Sequence, residues 1–161
     1  MKILIVYYSR TGLTKKVAQR LAVELDAATE ELIDKKDRAG ALGYLLSGRE
    51  AMQKKIADIE PLKLDPASYD LIIIGTPTWA YTMSCAVRAY LTEQRDRFKQ
   101  VAFFATHGSD GGARAVKFME ELSGKKALAS LIVTSKEAVK GIYQEKLRQF
   151  IEELKDKQES L

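Results

Sequence analysis

The chain has 161 residues, 46% of them hydrophobic and 30% charged, a balance that lets one domain bury a full core without structural metal or disulfides. Its formal net charge is +4 at pH 7, but Lys and Arg are interleaved with Asp and Glu throughout, which reads as a solvated mixed-charge surface and argues against a nucleic-acid partner. A single cysteine excludes an internal disulfide, Cys85 with the lone His107 cannot build a zinc site, and no stretch approaches the roughly 18 apolar residues of a membrane helix.

Residues 1–6 run into a strand and then charge without a signal-peptide cleavage site, so the expected location is cytoplasmic, away from any membrane. Apolar runs bounded by turn residues then alternate with stretches of helical period, the pattern of βα units and a parallel sheet in a single domain spanning 1–161. Strands are predicted over 2–8, about 28–33, 70–75, 100–105 and 127–134. Between the first two, Leu13, Val17, Leu21 and Leu25 recur every four residues, so one stripe of that helix faces the sheet.

Residues 35–60 are longer than a simple crossover requires. A charged lead-in, Lys35-Lys36-Asp37-Arg38, precedes Gly40 and Gly43, and Leu42, Leu45, Leu46, Met52 and Ile56 follow at helical spacing before Pro61. Two readings stand: an ordinary crossover helix, or a flap over the site with Tyr44 or Leu45 as the covering residue. Its leucines also suit a homodimer contact. Further helices are predicted over Met83 to Glu93, with Val87, Tyr90 and Leu91 inward, and over Ala113 to Leu122, with Ala115, Met119 and Leu122 inward. The last helix carries Tyr143, Leu147, Phe150, Ile151 and Leu154 as core.

In an open parallel sheet, ligands bind beyond the carboxyl ends of the strands. Three loops lie there: Ser9-Arg10-Thr11-Gly12-Leu13-Thr14, then Thr76-Pro77-Thr78-Trp79-Ala80-Tyr81, then Thr106-His107-Gly108-Ser109-Asp110-Gly111-Gly112. None carries a lysine, which excludes a Walker A loop, and the first has only Gly12 where a dinucleotide fingerprint needs three spaced glycines. A receiver domain needs acidic residues where this chain has Ser9 and Thr76. Cys85 has Arg88 only three residues on, too close for a cysteine phosphatase, and reads as a small packing residue. What remains is a phosphate cup, made by the hydroxyls of Ser9, Thr11 and Thr14 and the N–H groups around Gly12 at a helix start, beside an aromatic loop. Trp79 and Tyr81 offer a flat face for a ring system; the alternative for Trp79 is packing on the first helix.

Taken together, these three loops resemble those of flavodoxins and related flavodoxin-fold oxidoreductases of the short-chain type. The resemblance covers essentially the whole chain and implies a three-layer α/β sandwich with a five-stranded parallel sheet of order 2-1-3-4-5, holding one flavin mononucleotide (FMN). It implies that Ser9 to Thr14 hold the ribityl phosphate. By the same resemblance Thr76, Pro77, Thr78, Trp79, Ala80 and Tyr81 stack one ring face and reach its N5 edge, while Thr106, His107, Gly108, Ser109 and Gly111 bond around its pyrimidine edge. No side chain is required as a catalytic acid or base.

Three departures bear on function. Carrier flavodoxins are strongly acidic, and this chain is basic. The third loop has only His107 as a ring to cover the outer flavin face, and an open face suits a stacked nicotinamide or quinone. Ala80 stands where many flavodoxins have a glycine whose peptide turns over towards reduced N5, and alanine tolerates positive φ less well than glycine by about 1 kcal/mol. Arg10 and Arg114 read either as attractors for an anionic partner or as solvated charges. The expected function is electron transfer to a protein partner, with a two-electron NAD(P)H-dependent reductase acting on flavin or quinone, or a non-catalytic flavin-binding module, as alternatives.

Overall fold

Five consecutive buried residues, Ile3 to Tyr7, can be satisfied only by a strand covered on both faces, and this run forms the centre of the sheet. The computed structural model describes residues 1–160. In chain order the elements are β1 (Ile3–Tyr7), α1 (Leu13–Leu25), β2 (Ala28–Glu31), α2 (Gly40–Met52), β3 (Leu71–Trp79), β4 (Thr82–Met83), α3 (Cys85–Gln94), β5 (Gln100–His107), α4 (Gly112–Ser123), β6 (Ser130–Thr134), α5 (Ser135–Lys140) and α6 (Gln144–Glu159).

The parallel strands lie in the order β2-β1-β3-β5-β6, with β4 paired antiparallel to the end of β3. Counting the parallel strands alone, this is the expected 2-1-3-4-5 arrangement. Register is set by strand alternation. Leu4, Val6, Ile72, Ile74, Val101 and Phe103 point to a core shared with α3 and α4. Ile5, Tyr7, Ile73, Ala102 and Phe104 point to the opposite one, shared with α1 and α6. The result is three layers, helices on both faces of one sheet.

Boundaries shift where side chains intervene. β3 runs on to Trp79, because Thr76 and Pro77 still pair with Ala105 and Thr106 before Thr78 and Trp79 turn back against β4. β5 correspondingly extends to His107. β2 stops at Glu31, and the chain turns so that Asp34 bridges Ile59. α3 begins at Cys85 because the Ser84 hydroxyl accepts the Val87 N–H, which leaves Met83 in β4. β6 begins at Ser130, since the preceding segment is held by the Ala127 N–H donating to the Glu120 carboxylate. The last helical region is two helices: Thr134 and Glu137 cap α5 reciprocally, and Gly141 ends it at φ 66° before α6 starts.

Gly75, in the middle of β3, is required by packing. A Cβ there would lie 1.9 Å from Cζ of Phe104, which is itself fully buried. Gly75→Ala is therefore expected to destabilise the fold by about 1–3 kcal/mol through overpacking, read as a lower urea midpoint at unchanged m-value.

Candidate functional site

The carboxyl edge of the sheet gathers the three loops. In the first, Gly12 sits at φ 94° immediately before α1 and has no side chain to cap it. Ser9 supplies the cap from three residues upstream, its Oγ accepting the N–H groups of Gly12 and Lys15, each at 3.1 Å. The loop is thereby curled over the positive end of α1, where the N–H groups of Leu13 and Thr14 have no intrahelical acceptor. A Cβ at Gly12 would meet nothing within 4 Å, so the mouth of this cup is open. Thr11 is exposed at its rim and Leu13 packs inward on the α1 side. Thr14 is buried, its Oγ1 2.8 Å from that of Thr106, which ties the first loop to the end of β5.

The second loop is a hairpin. Ala80 and Tyr81 have φ of 47° and 65°, the left-handed pair that a two-residue hairpin turn between β3 and β4 requires. Thr76 holds its base, donating to the Pro77 carbonyl and accepting the Ser84 N–H. Thr78 Oγ1 is buried without a hydrogen-bond partner. Trp79 is 6% exposed; it meets Tyr8 edge-on at 5.4 Å and lies under the Arg38 guanidinium at 5.2 Å. It therefore packs on the α3 side of the sheet, away from α1, and Tyr81, 52% exposed, is the ring that faces solvent.

The third loop closes against the second. Gly111 adopts φ 93°, and a Cβ there would lie 2.8 Å from Cδ1 of Tyr81 and 3.1 Å from Cγ2 of Thr78. The Gly112 N–H donates to Nδ1 of His107, which places the proton of the neutral ring on Nε2. Gly108 and Ser109 are exposed at the tip.

A feature the sequence reading missed lines the same edge. Arg38 is 5% exposed and pairs with Asp34 through Nε and with Glu50 through Nη2 at 2.9 Å, while Lys36 also reaches Glu50. Its carbonyl accepts from Arg10, whose guanidinium stands 5.4 Å from the Tyr44 ring. α2 comes down on this cluster with its small and polar side: Gly43 rests against the Arg38 carbonyl, where a Cβ would be 2.1 Å away. Leu42, Leu45 and Met52 consequently point outward. The segment is thus a crossover helix that also borders the site, and a groove of about 430 Å³ runs between Tyr44, Leu45 and Met52 and the Thr78–Ala80 stretch. The available signal was the acid and base four residues apart, Asp34 and Arg38, with Glu50 one helix away.

An open anion cup, an orphaned threonine hydroxyl and two interlocked loops on one sheet edge fit a phosphorylated ring cofactor. The family model described as Flavodoxin matches residues 2–154. The chain belongs to the flavodoxin family. No curated protein is significantly similar to it in sequence. Among solved structures, a Lactobacillus acidophilus flavoprotein in complex with FMN is 25% identical, with a TM-score of 0.69 over 86% of this chain and 97% of that one. A Bacteroides uniformis protein gives a TM-score of 0.76 at 23% identity, covering 94% and 97%. Flavodoxin 2 of Bacillus cereus gives 0.60 at 20%, covering 98% and 99%. The last two show the shared fold. Among the described residues no helix is long and apolar enough to cross a membrane.

Within this flavodoxin framework the Arg38 cluster sets a pH response. Burial raises the Glu50 carboxyl, but hydrogen bonds from Lys36 and Arg38 outweigh it and hold the group below its ordinary 4.5. The resulting stabilisation is present above pH 4.5 and is lost as the pH falls through the lower folded value. Urea midpoints measured across that range are expected to fall on acidification, and less steeply in Glu50→Gln. Arg38→Met, which among the described residues removes the only ion-pair partner of the buried Asp34 carboxylate and one of the two of Glu50, is expected to cost about 3–5 kcal/mol at neutral pH.

Proposed function

We propose that the chain binds one FMN non-covalently and passes electrons from it to a protein partner. The observation that carries this reading is the open cup at α1, facing the same sheet edge as the Thr78–Tyr81 and Gly111 contact. In this reading Ser9, Arg10, Thr11, Gly12, Leu13 and Thr14 take the phosphate, with the helix end favouring its charge. Thr76, Pro77, Thr78, Trp79, Ala80 and Tyr81 form one wall of the ring site, in which Thr78 Oγ1 gains the partner it lacks. Thr106, His107, Gly108, Ser109 and Gly111 form the other. Trp79 acts from beneath, fixing the hairpin through Tyr8 and Arg38, and Tyr81 is the ring positioned to stack. Bound flavin supplies one- and two-electron redox chemistry; the protein binds, orients and shields it. The partner docks on the exposed side of α2, where Tyr44, Leu45 and Met52 border the hairpin groove. The FMN complex of the Lactobacillus acidophilus relative supports the cofactor assignment.

A second reading, two-electron exchange with NAD(P)H and a small acceptor, is favoured by a separate cavity of about 740 Å³ that shares Ala80, Tyr81 and Thr82 with the hairpin.

Titration of the purified chain with FMN and with riboflavin, followed by flavin fluorescence, tests the cup. FMN is expected to bind about 100-fold more tightly, and Thr11→Val to weaken FMN about tenfold while leaving riboflavin unchanged. Equal affinity for the two flavins would remove the phosphate assignment. Anaerobic stepwise reduction of the FMN complex then separates the two readings: a long-wavelength absorbance band that rises and falls supports the carrier, and direct bleaching supports two-electron exchange.

A further inference from the structure

The 740 Å³ cavity lies between the end of α2, the hairpin residues Ala80 to Thr82, α3 and α4, and shares only Ala80 and Tyr81 with the three loops. Its volume is that of a small-molecule site. Met52, Phe118 and Leu122 make much of its wall apolar, and three cations, Lys54, Arg88 and Arg114, line it against one acid, Glu121. None of these three cations forms an ion pair among the described residues.

Arg88 is the group that calls for a ligand. A guanidinium has five N–H donors. Here one nitrogen, Nη2, donates to Thr82 Oγ1 at 3.2 Å, while Nε is sealed from solvent with no acceptor at all. Burial also disfavours its charge. A partly dry cation without an anion is costly, and since Nε is closed off, it is the terminal Nη1 and Nη2 of this cavity-lining residue that a carboxylate would meet through charge-assisted bonds. Arg114, a second cation at the cavity wall, stands over the rings of Phe118 and Tyr81 at 5.5 and 6.0 Å and adds to the positive field there. A bare inorganic anion would satisfy Arg88 and leave the apolar wall and most of the volume unfilled.

We propose that this cavity binds an organic acid whose carboxylate is anchored by Arg88 and whose flat apolar body lies against Phe118 and Leu122. Because the hairpin residues Ala80 to Thr82 form one wall, the bound acid stands directly beside the loop assigned to the flavin ring. The site itself is built from residues outside the phosphate cup and does not depend on FMN.

The test uses 2-naphthoate and its neutral analogue 2-naphthamide, titrated calorimetrically into the full chain without added flavin. Naphthoate is expected to bind at least about tenfold more tightly than the amide. Arg88→Met should remove that preference while leaving amide binding unchanged, Arg88→Lys should restore only part of it, and Leu122→Trp should block both probes by filling the cavity. Failure of naphthoate to bind, equal affinities in the unsubstituted chain, or naphthoate binding that survives Leu122→Trp would each overturn the proposal, and the probe comparison stands even if Arg88→Met does not fold. FMN titration tests the cup through Thr11, whereas the naphthoate titration tests Arg88 and Leu122, which lie in none of the three loops, so loss of the flavin assignment would leave this result intact, and the converse holds.

Discussion

The geometry of the sheet edge at the β3–β4 hairpin depends on one buried cation. Arg38 has its guanidinium shared between Asp34 and Glu50 and set over the Trp79 ring, and its carbonyl pressed against Gly43 and bonded by Arg10. Such a cluster adds little net stability compared with an apolar replacement, because desolvating three charges offsets most of their attraction. What it supplies is specificity of position. A guanidinium that must satisfy two carboxylates from different segments admits one placement of α2, and that placement turns Leu42, Leu45 and Met52 outward and makes Tyr44 and Leu45 the rim of the groove. An apolar core contact would have buried the leucines and withdrawn the helix from the edge.

The sheet edge at the start of α1 is held by different groups. A helix preceded by glycine at its N-cap has no side-chain cap of its own, and Ser9 serves both Gly12 and Lys15 from outside the helix. The same serine therefore fixes the loop's curvature and leaves the intervening N–H groups of Leu13 and Thr14 turned to the cup. Thr14 extends the order across the sheet, since its bond to Thr106 joins the first and third loops in the buried layer beneath any ligand. Two loops separated by 92 residues are thus held in register by one hydroxyl pair, and parallel strand order is what brings them within reach.

The sequence made the sheet, its order and the three loops legible because each rests on a local pattern: unbroken apolar runs for central strands, four-residue periodicity for α1, hydroxyls and glycine where a helix begins. The parts that escaped have non-local causes. Nothing in Trp79-Ala80-Tyr81-Thr82 resembles the Asn-Gly or Gly-Gly usual for a two-residue hairpin, so β4 and the extension of β3 were invisible. The outward leucines of α2 have helical spacing that suits a core face, and only the buried Arg38 cluster decides which side turns in. The fate of Trp79 follows from the same cation, because a tryptophan under a buried guanidinium is held in the core however exposed its loop looks in sequence.

The hairpin turn also alters the significance of Ala80. From sequence, alanine there weighs against positive φ, yet the structure has Ala80 and Tyr81 both in that region. Two non-glycine residues in left-handed geometry are strained by roughly 1–2 kcal/mol each, and they persist only if the surroundings over-determine them. Those surroundings are visible: pairing of Thr78 and Trp79 with β4, the Thr76 hydroxyl bonded to the Ser84 N–H, and the Tyr81 ring closed on Gly111. Where a glycine would leave the turn free to exchange conformations at small cost, this chain holds it in one. The hairpin is therefore preorganised, with the α2 groove on one flank and the Arg88 cavity on the other.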